Sequence, residues 1–331
     1  MAQRFLLSAA ARSLSLAKVM RLSDAGVEDV FLRLRWPGTG GKPTCPRCGC
    51  AICHACRRPA GQLRWRCKAC RRDFSITSAT LFAWRKLPLR TDLLAVVLFC
   101  NEVKGKSMLA LALALARGLD VQCKTAFVLA HKLREAMAAS TKGLRVGGAG
   151  QAVEIDGAYF GGHVRPENRA ARRIDRRLAG NKSGKRRVVA AMRERGGRTL
   201  PQVFAAEEAA VPAIRQRIAP GTVVHADESP AWNPLHARFA VQRISHQHGY
   251  SIDGACTNGA EAYFSRLRRG ELGRHHHIAR PCLVRYAQEA AWREDLRRVG
   301  NGEQTHGVVG LAMRSPPSVD FCGCWQRAHA A

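Results

Sequence analysis

The chain of 331 residues is 46% hydrophobic and 24% charged, a mix typical of folded proteins that excludes wholesale disorder. It is long enough for two or three domains. Its most apolar run, residues 107–116, is much shorter than the roughly 18 residues that a membrane span needs. Lys and Arg number 54 against 25 Asp and Glu, so the formal net charge is +29. Such an excess repels itself in a folded chain and predicts a polyanionic partner, nucleic acid first and no membrane.

Residues 1–43 are predicted to form an N-terminal helical segment followed by a linker. The segment 1–20 lacks the continuous apolar core and the cleavage site of a signal peptide. It contains Arg and Ser and no acid, as transit peptides do, but its leucine spacing favours an amphipathic helix. One or two short helices are therefore expected over 1–36, with a Gly/Pro linker over 37–43. Without a secretion signal, the cysteines are expected to be reduced and the protein cytoplasmic.

The 13 cysteines are read first for metal binding. Two Cys-x-x-Cys pairs are separated by a hairpin-sized insert, which predicts a Zn²⁺ ribbon over residues 44–75. Three further cysteines and His54 lie within that insert and create overlapping pairs. The four ligands chosen, because only they enclose the insert, are Cys45, Cys48, Cys67 and Cys70. The contribution of Cys50, Cys53 and Cys56 stays open.

Basic residues concentrate around the ribbon and in the region after it. A helical region is predicted over residues 76–145, and its segment 104–137 has two helical stretches around a turn at 118–120. This pattern fits either a helix-turn-helix that reads DNA or a plain helical hairpin. The DNA contacts predicted from these two regions are Arg64, Arg66, Lys68, Arg71, Arg72, Lys124 and Lys132.

After a Gly-rich linker at 142–150 the sequence changes to alternating strands and helices, which predicts an α/β domain over residues 150–300. A tail that is expected to be poorly ordered follows over residues 301–331. The predicted elements are a strand at 151–156, a hairpin at 185–193 and 198–205, a helix at 209–218, strands at 222–226 and 239–244, and helices at 258–270 and 281–299.

Three acids of this domain are candidates for a metal site. Asp156 and Asp227 end predicted strands, where open α/β sheets place their sites, and Glu261 lies in the first turn of the helix that begins at Asn258. Three converging carboxylates need a cation, and two Mg²⁺ ions would also clamp a phosphodiester displacement. Glu154 shares a strand face with Asp156 and is an alternative ligand or partner. Asn258 is an alternative third ligand. Glu228 points away by strand alternation, and Asp253 and Glu271 are surface candidates.

Several pieces of this sequence together resemble one family. VEIDGAYFGGHVRPENR, SGKRRVVAAMRERGGRTLP, PGTVVHADES and DGACTNGAEAYFSRLRRGELGRHHHIARP look like bacterial insertion-sequence DDE transposases that carry an N-terminal zinc ribbon. The resemblance covers nearly the whole chain. It implies an RNase H-like core with a mixed sheet, preceded by the ribbon and a helical segment.

The resemblance also implies the chemistry. The family's acids map onto Asp156, Asp227 and Glu261, with Asn258 as the alternative third ligand, and they would hold Mg²⁺ or Mn²⁺. The expected reaction is hydrolysis at the ends of the element, followed by attack of the freed 3′-hydroxyl on target DNA. The DNA contacts implied near the third acid are Arg266, Arg268 and Arg269.

The expected partners are the terminal inverted repeats of the element and target DNA, in the bacterial nucleoid. Two DNA ends must be processed together, so a homodimer or a larger assembly is expected. Arg-rich residues 165–187 are read as a DNA clamp or a charged loop, and residues 275–277 as a solvated turn. Gly259 and Ala262 depart from the family's pattern. The competing functions are therefore a catalytically decayed zinc-ribbon repressor and a nuclease that cuts without joining.

Overall fold

The computed structural model describes residues 2–57, 62–103, 105, 107–161, 169–172, 174, 184, 186–245, 251 and 254–321. The chain divides into two units. One unit comprises Met1–Ser140 together with Leu296–Ala331, and the other is Thr141–Asp295. The C-terminal residues therefore belong with the N-terminal ones, which the sequence pattern did not indicate.

The first unit begins with three short α-helices, one more than the sequence predicted. They are α1 (Ala2–Leu7), α2 (Leu16–Arg21) and α3 (Asp24–Arg35). α2 and α3 each begin at a serine cap. The hydroxyls of Ser15 and Ser23 accept the backbone N–H of the residue three positions later, each at 3.1 Å. Each serine therefore restarts a helix within a segment of continuous leucine spacing.

The cysteine-rich segment forms a three-stranded antiparallel sheet with β2 in the centre. Alternation along β2 turns Trp65 to one face, where its ring stacks on Phe74 at 5.8 Å and meets Trp36 edge-on at 5.9 Å. This aromatic cluster is the apolar core of the small sheet. The strands are β1 (Cys53–Arg57), β2 (Leu63–Cys67) and β3 (Asp73–Ser75).

Helices make up the rest of this unit. They are α4 (Leu89–Cys100), α5 (Met108–Leu119), α6 (Cys123–Ala139) and, from the other end of the chain, α10 (Asn301–Arg314). Asp120, in the left-handed conformation with φ 51°, ends α5 where the sequence predicted a turn. The tail predicted to be poorly ordered from Gly300 instead begins with α10, whose apolar residues pack on α3, α4 and α6. The glycines of this segment made the sequence look unlike a helix, although Val308, Val309, Ala312 and Met313 form an apolar helix face.

The second unit is built on a five-stranded sheet in the order β6-β5-β4-β7-β8. β5 runs antiparallel to β4 and β6, whereas β4, β7 and β8 run parallel. This arrangement confirms the expected RNase H-like mixed sheet. Its strands are β4 (Ala152–Gly161), β5 (Arg186–Glu194), β6 (Thr199–Phe204), β7 (Val223–Ala226) and β8 (Ala240–Arg243). Its helices are α7 (Val211–Arg217), α8 (Asn258–Gly270) and α9 (Leu283–Asp295).

β4 is longer than predicted. The sequence pattern ends this strand at Asp156, but its antiparallel pairing with β5 continues through Gly161↔Arg186. Its parallel pairing with β7 does end where predicted, at Ile155↔Ala226. Asp156 therefore lies inside a strand, yet just beyond the last parallel pair. The alternating pattern did not show the extension because Gly157 and Gly161 interrupt it.

Val153, Ile155, Val188, Ala190 and Met192 form the centre of this unit's core, and each is fully buried. Trp232, which follows β7, is also fully buried in this cluster. Within the part of the chain that the structure describes, no helix is long and apolar enough to cross a membrane.

Replacing Val309 with Ala tests the placement of the C-terminal helix. The side chain is fully buried, so its loss should lower the free energy of unfolding by about 2 kcal/mol, as measured by urea denaturation. Val319→Ala is the matched control, because that side chain is 69% exposed and its loss should change little. Equal stability of the two variants would contradict the burial of α10.

Candidate functional site

The four predicted zinc ligands come together at one end of the small sheet. The ligand atoms of Cys45, Cys48, Cys67 and Cys70 all lie within 4.8 Å of one another. Cys45 Sγ is 3.7 Å from Cys70 Sγ, and Cys48 Sγ is 3.5 Å from Cys67 Sγ. Such a compact set of four thiols suits one tetrahedral Zn²⁺ ion.

The two Cys-x-x-Cys turns have the same backbone geometry. In each, the N–H four residues after the first cysteine returns to that cysteine's carbonyl, from Gly49 to Cys45 and from Arg71 to Cys67. Gly49 and Arg71 are both left-handed, with φ of 74° and 56°. Backbone N–H groups thereby face the sulfurs, and the one from Cys70 is the main cause that lowers the pKa of Cys67 to about 6. The second turn thus favours the thiolate form of Cys67, whereas the neighbouring thiol of Cys67 contributes to raising the pKa of Cys48 to about 12.

The three additional cysteines lie outside the four-thiol cluster. Cys50 Sγ is 3.7 Å from the carbonyl oxygen of Ile52, and Cys53 Sγ is 3.5 Å from that of Cys50. Cys56 is exposed. Cys53 lies directly opposite Cys67 in the pairing of β1 with β2, but its sulfur is not part of the compact set of four, and Cys56 lies farther along β1.

The predicted DNA contacts on the ribbon lie mostly in solvent. Alternation along β2 places Arg64 and Arg66 on the other face of the strand from the buried Trp65. Arg66 forms an ion pair with Asp73 at 3.2 Å. Arg64 is half-buried. The exposed residues of this group are Arg66, Lys68, Arg71 and Arg72.

The predicted helix-turn-helix corresponds to α5 and α6, which pack against each other. α6 is largely buried through Ala126, Leu129, Leu133 and Met137. Lys124 is exposed near its beginning, whereas Lys132 is half-buried. Whether this helix reads DNA remains a prediction, and only its first turns offer an exposed face.

In the second unit, the three predicted acids line one cleft of about 590 Å³. Asp156 and Asp227 occupy equivalent positions on neighbouring parallel strands, each directly after the last pair, Ile155↔Ala226. Glu261 enters from the first turn of α8. The other lining residues are Phe264, Ser265, Arg268 and Arg269.

The acids influence one another's ionisation. Burial, and next the charge of Asp227, raise the pKa of Asp156 to about 7, and Glu261 adds to the effect. The backbone N–H of Gly157, 2.7 Å from Asp156 Oδ1, and the charge of Arg268 oppose the shift without cancelling it. The cleft therefore holds more negative charge than its own cations neutralise.

Asp227 is held by a loop that sequence reasoning did not identify. Arg243 donates to its carbonyl oxygen at 2.5 Å, and the N–H of Ser229 lies 3.2 Å from its Oδ1. The Ser229 hydroxyl donates to Glu207 at 2.9 Å, and burial is the main cause that raises the pKa of Glu207. Nothing in the sequence marks Glu207, because it lies among ordinary helix-start acids and meets the loop only in three dimensions.

α8 presents its polar face to the cleft through helical spacing. Ser265 lies four residues after Glu261, and Arg268 and Arg269 follow on the same side, with Arg269 donating to the Ser265 hydroxyl at 2.6 Å. Arg266, also predicted to contact DNA, instead pairs with Glu294 at 2.6 Å. Asn258, the alternative third ligand, is exposed and is not among the residues that line the cleft, whereas Glu261 is.

The remaining candidates have other neighbours. Glu154, the alternative ligand, is buried and accepts the N–H of Ala260 at 2.9 Å. Glu271 accepts the N–H of Gly161 at 2.9 Å, and the His275 ring packs edge-on against Tyr286. Asp253 and most of the Arg-rich segment 165–187 lie outside the described residues.

Comparison with known families agrees with this geometry. Residues 148–295 match the ISXO2-like transposase domain, and residues 22–73 match the transposase zinc-ribbon domain. The second match begins before the ribbon and includes α3. Neither a curated protein nor a solved structure matches the chain significantly.

An RNase H-like sheet and a four-cysteine ribbon in one chain define a transposase of the zinc-ribbon type. The two matches together cover more than half of the chain, which belongs to the insertion-sequence DDE transposases that carry an N-terminal zinc ribbon. The tetracysteine cluster is the zinc site of this ribbon.

Replacing Cys67 with Ser should remove the bound zinc, because three sulfurs hold the ion much more weakly than four. Zinc content, measured by atomic absorption on purified protein, should fall from about one ion per chain to near zero. Cys56→Ser is the control and should keep full occupancy. Loss of zinc from the control alone would place Cys56 in the site.

The raised pKa of Asp156 predicts a pH-dependent stability. In the unfolded chain this carboxyl ionises near pH 4, whereas in the folded protein it stays neutral until about pH 7. The stability that it contributes is therefore complete below pH 4 and is lost as the pH rises through 7.

Asp156→Asn, which keeps the shape without the ionisation, should be more stable than the parent at pH 8 and not at pH 4. The measurement is urea unfolding without added magnesium or manganese. Glu228→Gln, an exposed neighbour of Asp227, is the control and should show no such dependence. A constant difference between Asp156→Asn and the parent at all pH values would argue against the shift.

Proposed function

We propose that this transposase binds the ends of an insertion sequence and catalyses divalent-metal-dependent cleavage and strand transfer. The observation that carries the proposal is the convergence of Asp156, Asp227 and Glu261 on one cleft that also contains Arg268 and Arg269. A group of carboxylates beside guanidinium groups suits a phosphodiester: the acids bind the metal and the arginines bind the phosphate.

The donor set fits a hard divalent cation. Carboxylate oxygens are the ligands preferred by Mg²⁺ and Mn²⁺, and the cleft lining contains no thiol or imidazole among the described residues. Burial first, and then repulsion from Asp227, raise the pKa of Asp156, and a divalent cation would relieve that repulsion. Bound Mg²⁺ or Mn²⁺ would supply Lewis-acid activation and charge neutralisation at the scissile phosphate.

The side chains of the cleft have distinct tasks in this reaction. Asp156 and Asp227 hold the cation from the sheet, and Glu261 holds it from the helix. Arg268 and Arg269 bind the non-bridging phosphate oxygens, whose negative charge grows in the transition state. First, a water oxygen attacks phosphorus and the bond to the 3′-oxygen breaks, which leaves a 3′-hydroxyl. That hydroxyl then attacks a target phosphate, releasing its own proton and displacing the target strand's 3′-oxygen.

DNA binding in this proposal is divided between the two units. The exposed Lys68, Arg71 and Arg72 of the ribbon contact phosphates of the element's ends, with the protein's net charge of +29 adding a salt-sensitive attraction. Sequence-specific contacts to the terminal inverted repeats come from the same module. Because two ends are joined to one target, the active assembly contains at least two chains.

Gly259 had suggested a decayed copy, but the structure gives this residue a packing reason. A Cβ atom at this position would lie 2.8 Å from Glu154 Oε2 and 3.0 Å from Arg193 Nε. Glycine therefore permits α8 to approach β4 closely. This departure from the family's pattern supports an intact site rather than a lost one.

The proposal is tested by strand transfer with purified full-length protein, Mg²⁺, labelled element-end DNA and a plasmid target. Asp156→Ala, Asp227→Ala and Glu261→Ala should each reduce joined product about a thousandfold, since each removes several kcal/mol of transition-state stabilisation. Binding of the end DNA should change little in a gel-shift assay.

Asn258→Ala is the matched control on α8 and should retain activity. If it abolishes strand transfer while Glu261→Ala does not, Asn258 is the third ligand. A wild-type protein that binds end DNA but neither cuts nor joins it would be the decayed repressor, and cutting without joining would indicate a nuclease.

A further inference from the structure

A polar network lies directly beneath the three acids, formed by the buried Glu154 and His225 and by Arg195, whose side chain is 37% exposed. Its centre is Glu154, whose side chain is only 5% exposed and which forms an ion pair with Arg195 Nε at 3.2 Å. Arg195 also donates to His225 Nδ1 at 3.1 Å and to the carbonyl oxygens of Gly254 and Cys256, at 3.2 and 3.3 Å. The network therefore joins β4, the turn between β5 and β6, β7 and the segment that leads into α8.

This network touches every element that carries one of the acids. Glu154 and His225 are direct partners in the parallel pairing of β4 with β7. Each lies two residues before an acid, Asp156 on one strand and Asp227 after the other. Because side chains alternate along a strand, Glu154 and Asp156 share a face, and α8 packs on β4.

The link to the third acid runs through the backbone of α8. Thr257, which precedes the helix, makes no side-chain cap. Instead, Glu154 Oε2 accepts the N–H of Ala260 at 2.9 Å, one residue before Glu261. A buried carboxylate at a helix N-terminus is favoured by the unpaired N–H groups and by the helix dipole. Glu154 therefore fixes the position at which Glu261 enters the cleft.

His225 has the tautomer that this arrangement requires. The N–H of Cys256 and the guanidinium of Arg195 both donate to Nδ1, each at 3.1 Å, so this nitrogen carries no proton. Arg195 also lies 2.7 Å from Cys256 Sγ, and Glu154 is the carboxylate that pairs with its guanidinium.

We propose that Glu154, together with Arg195, is a positioning residue that sets the mutual spacing of Asp156, Asp227 and Glu261 for divalent-metal binding. The inference rests on the proposed function, because it presupposes that these three acids hold the cation. Glu154 itself contacts neither cation nor DNA in this role. It holds the helix that brings the third ligand to the two ligands on the sheet.

A role limited to stability is a poor explanation for this network. The ion pair joins a buried carboxylate to an arginine whose side chain is 37% exposed, and such solvent-accessible pairs contribute little to stability. What they do supply is a defined geometry, and the close approach at Gly259 shows how narrow that geometry is. An alanine in a helix is ordinarily more favourable than glycine, so the glycine here is explained by the contact with Glu154.

The test measures Mn²⁺ affinity of the full-length, zinc-loaded protein by isothermal titration calorimetry. Glu154→Ala removes the hydrogen bond to the N–H of Ala260. Gly259→Ala adds a Cβ atom against Glu154 and should displace α8 without changing any charge. Both should weaken Mn²⁺ binding about tenfold or more, as loss of outer contacts to metal ligands does. Glu154→Gln keeps one acceptor oxygen for Ala260 and should lose less than Glu154→Ala.

Further measurements separate positioning from general stability. End-DNA affinity and zinc content should stay unchanged, and strand transfer by the variants should recover when Mn²⁺ is raised to saturation. Glu289→Gln is the control, because Glu289 is equally buried at 5% exposure and pairs with Arg293 within α9. It should lower the melting temperature without changing Mn²⁺ affinity.

Folded Glu154→Ala protein with the wild-type Mn²⁺ affinity would overturn the inference. If Glu154→Ala does not fold, wild-type affinity in both Gly259→Ala and Glu154→Gln would overturn it equally. Asp156→Ala, measured in parallel, tests the proposed metal site itself. Unchanged Mn²⁺ binding in Asp156→Ala would reject that site, whereas loss there with no change at Glu154 would reject only the positioning role.

Discussion

The parallel pairing of β4 with β7 is the constraint on which the candidate active site depends. Its last pair, Ile155↔Ala226, brings Asp156 and Asp227 to neighbouring positions at the same edge of the sheet. The pair before it, Glu154↔His225, places the buried network directly below them. Neighbouring strands lie about 4.8 Å apart, so the register alone brings two carboxylates close enough to repel each other. Burial first, and then the charge of Asp227, raise the pKa of Asp156.

The two units bring together different kinds of ionisable side chain: thiols in the ribbon and carboxylates in the sheet unit. In the ribbon, backbone N–H groups favour the thiolate of Cys67, beside a small aromatic core around Trp65. In the sheet unit, carboxylates are kept together by a core that is already well packed, at the cost of a raised pKa. Thiolates suit zinc and carboxylates suit a harder cation, so one chain can hold both metals without competition between the sites.

Much of this protein could be predicted from local sequence patterns. The two Cys-x-x-Cys pairs define the ribbon because each pair folds as a local turn, and the amphipathic spacing from Asn258 to Gly270 gives α8 with its observed bounds. Strand alternation likewise found β5, β6 and β7 to within a residue or two. The C-terminal helix was missed because its face is made of glycine and small apolar residues, whose burial depends on α3, α4 and α6.

The sequence by itself determined which residues could carry chemistry: four cysteines at zinc spacing, and two acids following strands with a third on a helix. Only the tertiary structure decided which of them meet. It brought Glu261 rather than Asn258 to the cleft, paired Arg266 with Glu294, and placed Glu154 Oε2 2.9 Å from the N–H of Ala260 in α8. The physical reason is the distance along the chain between the residues that make each contact. Turns and helix faces follow from neighbours a few residues apart, whereas the ion pair of Arg266 with Glu294 and the hydrogen bond of Glu154 with Ala260 join residues 28 and 106 positions apart, whose proximity is fixed only by the register and packing of the whole sheet.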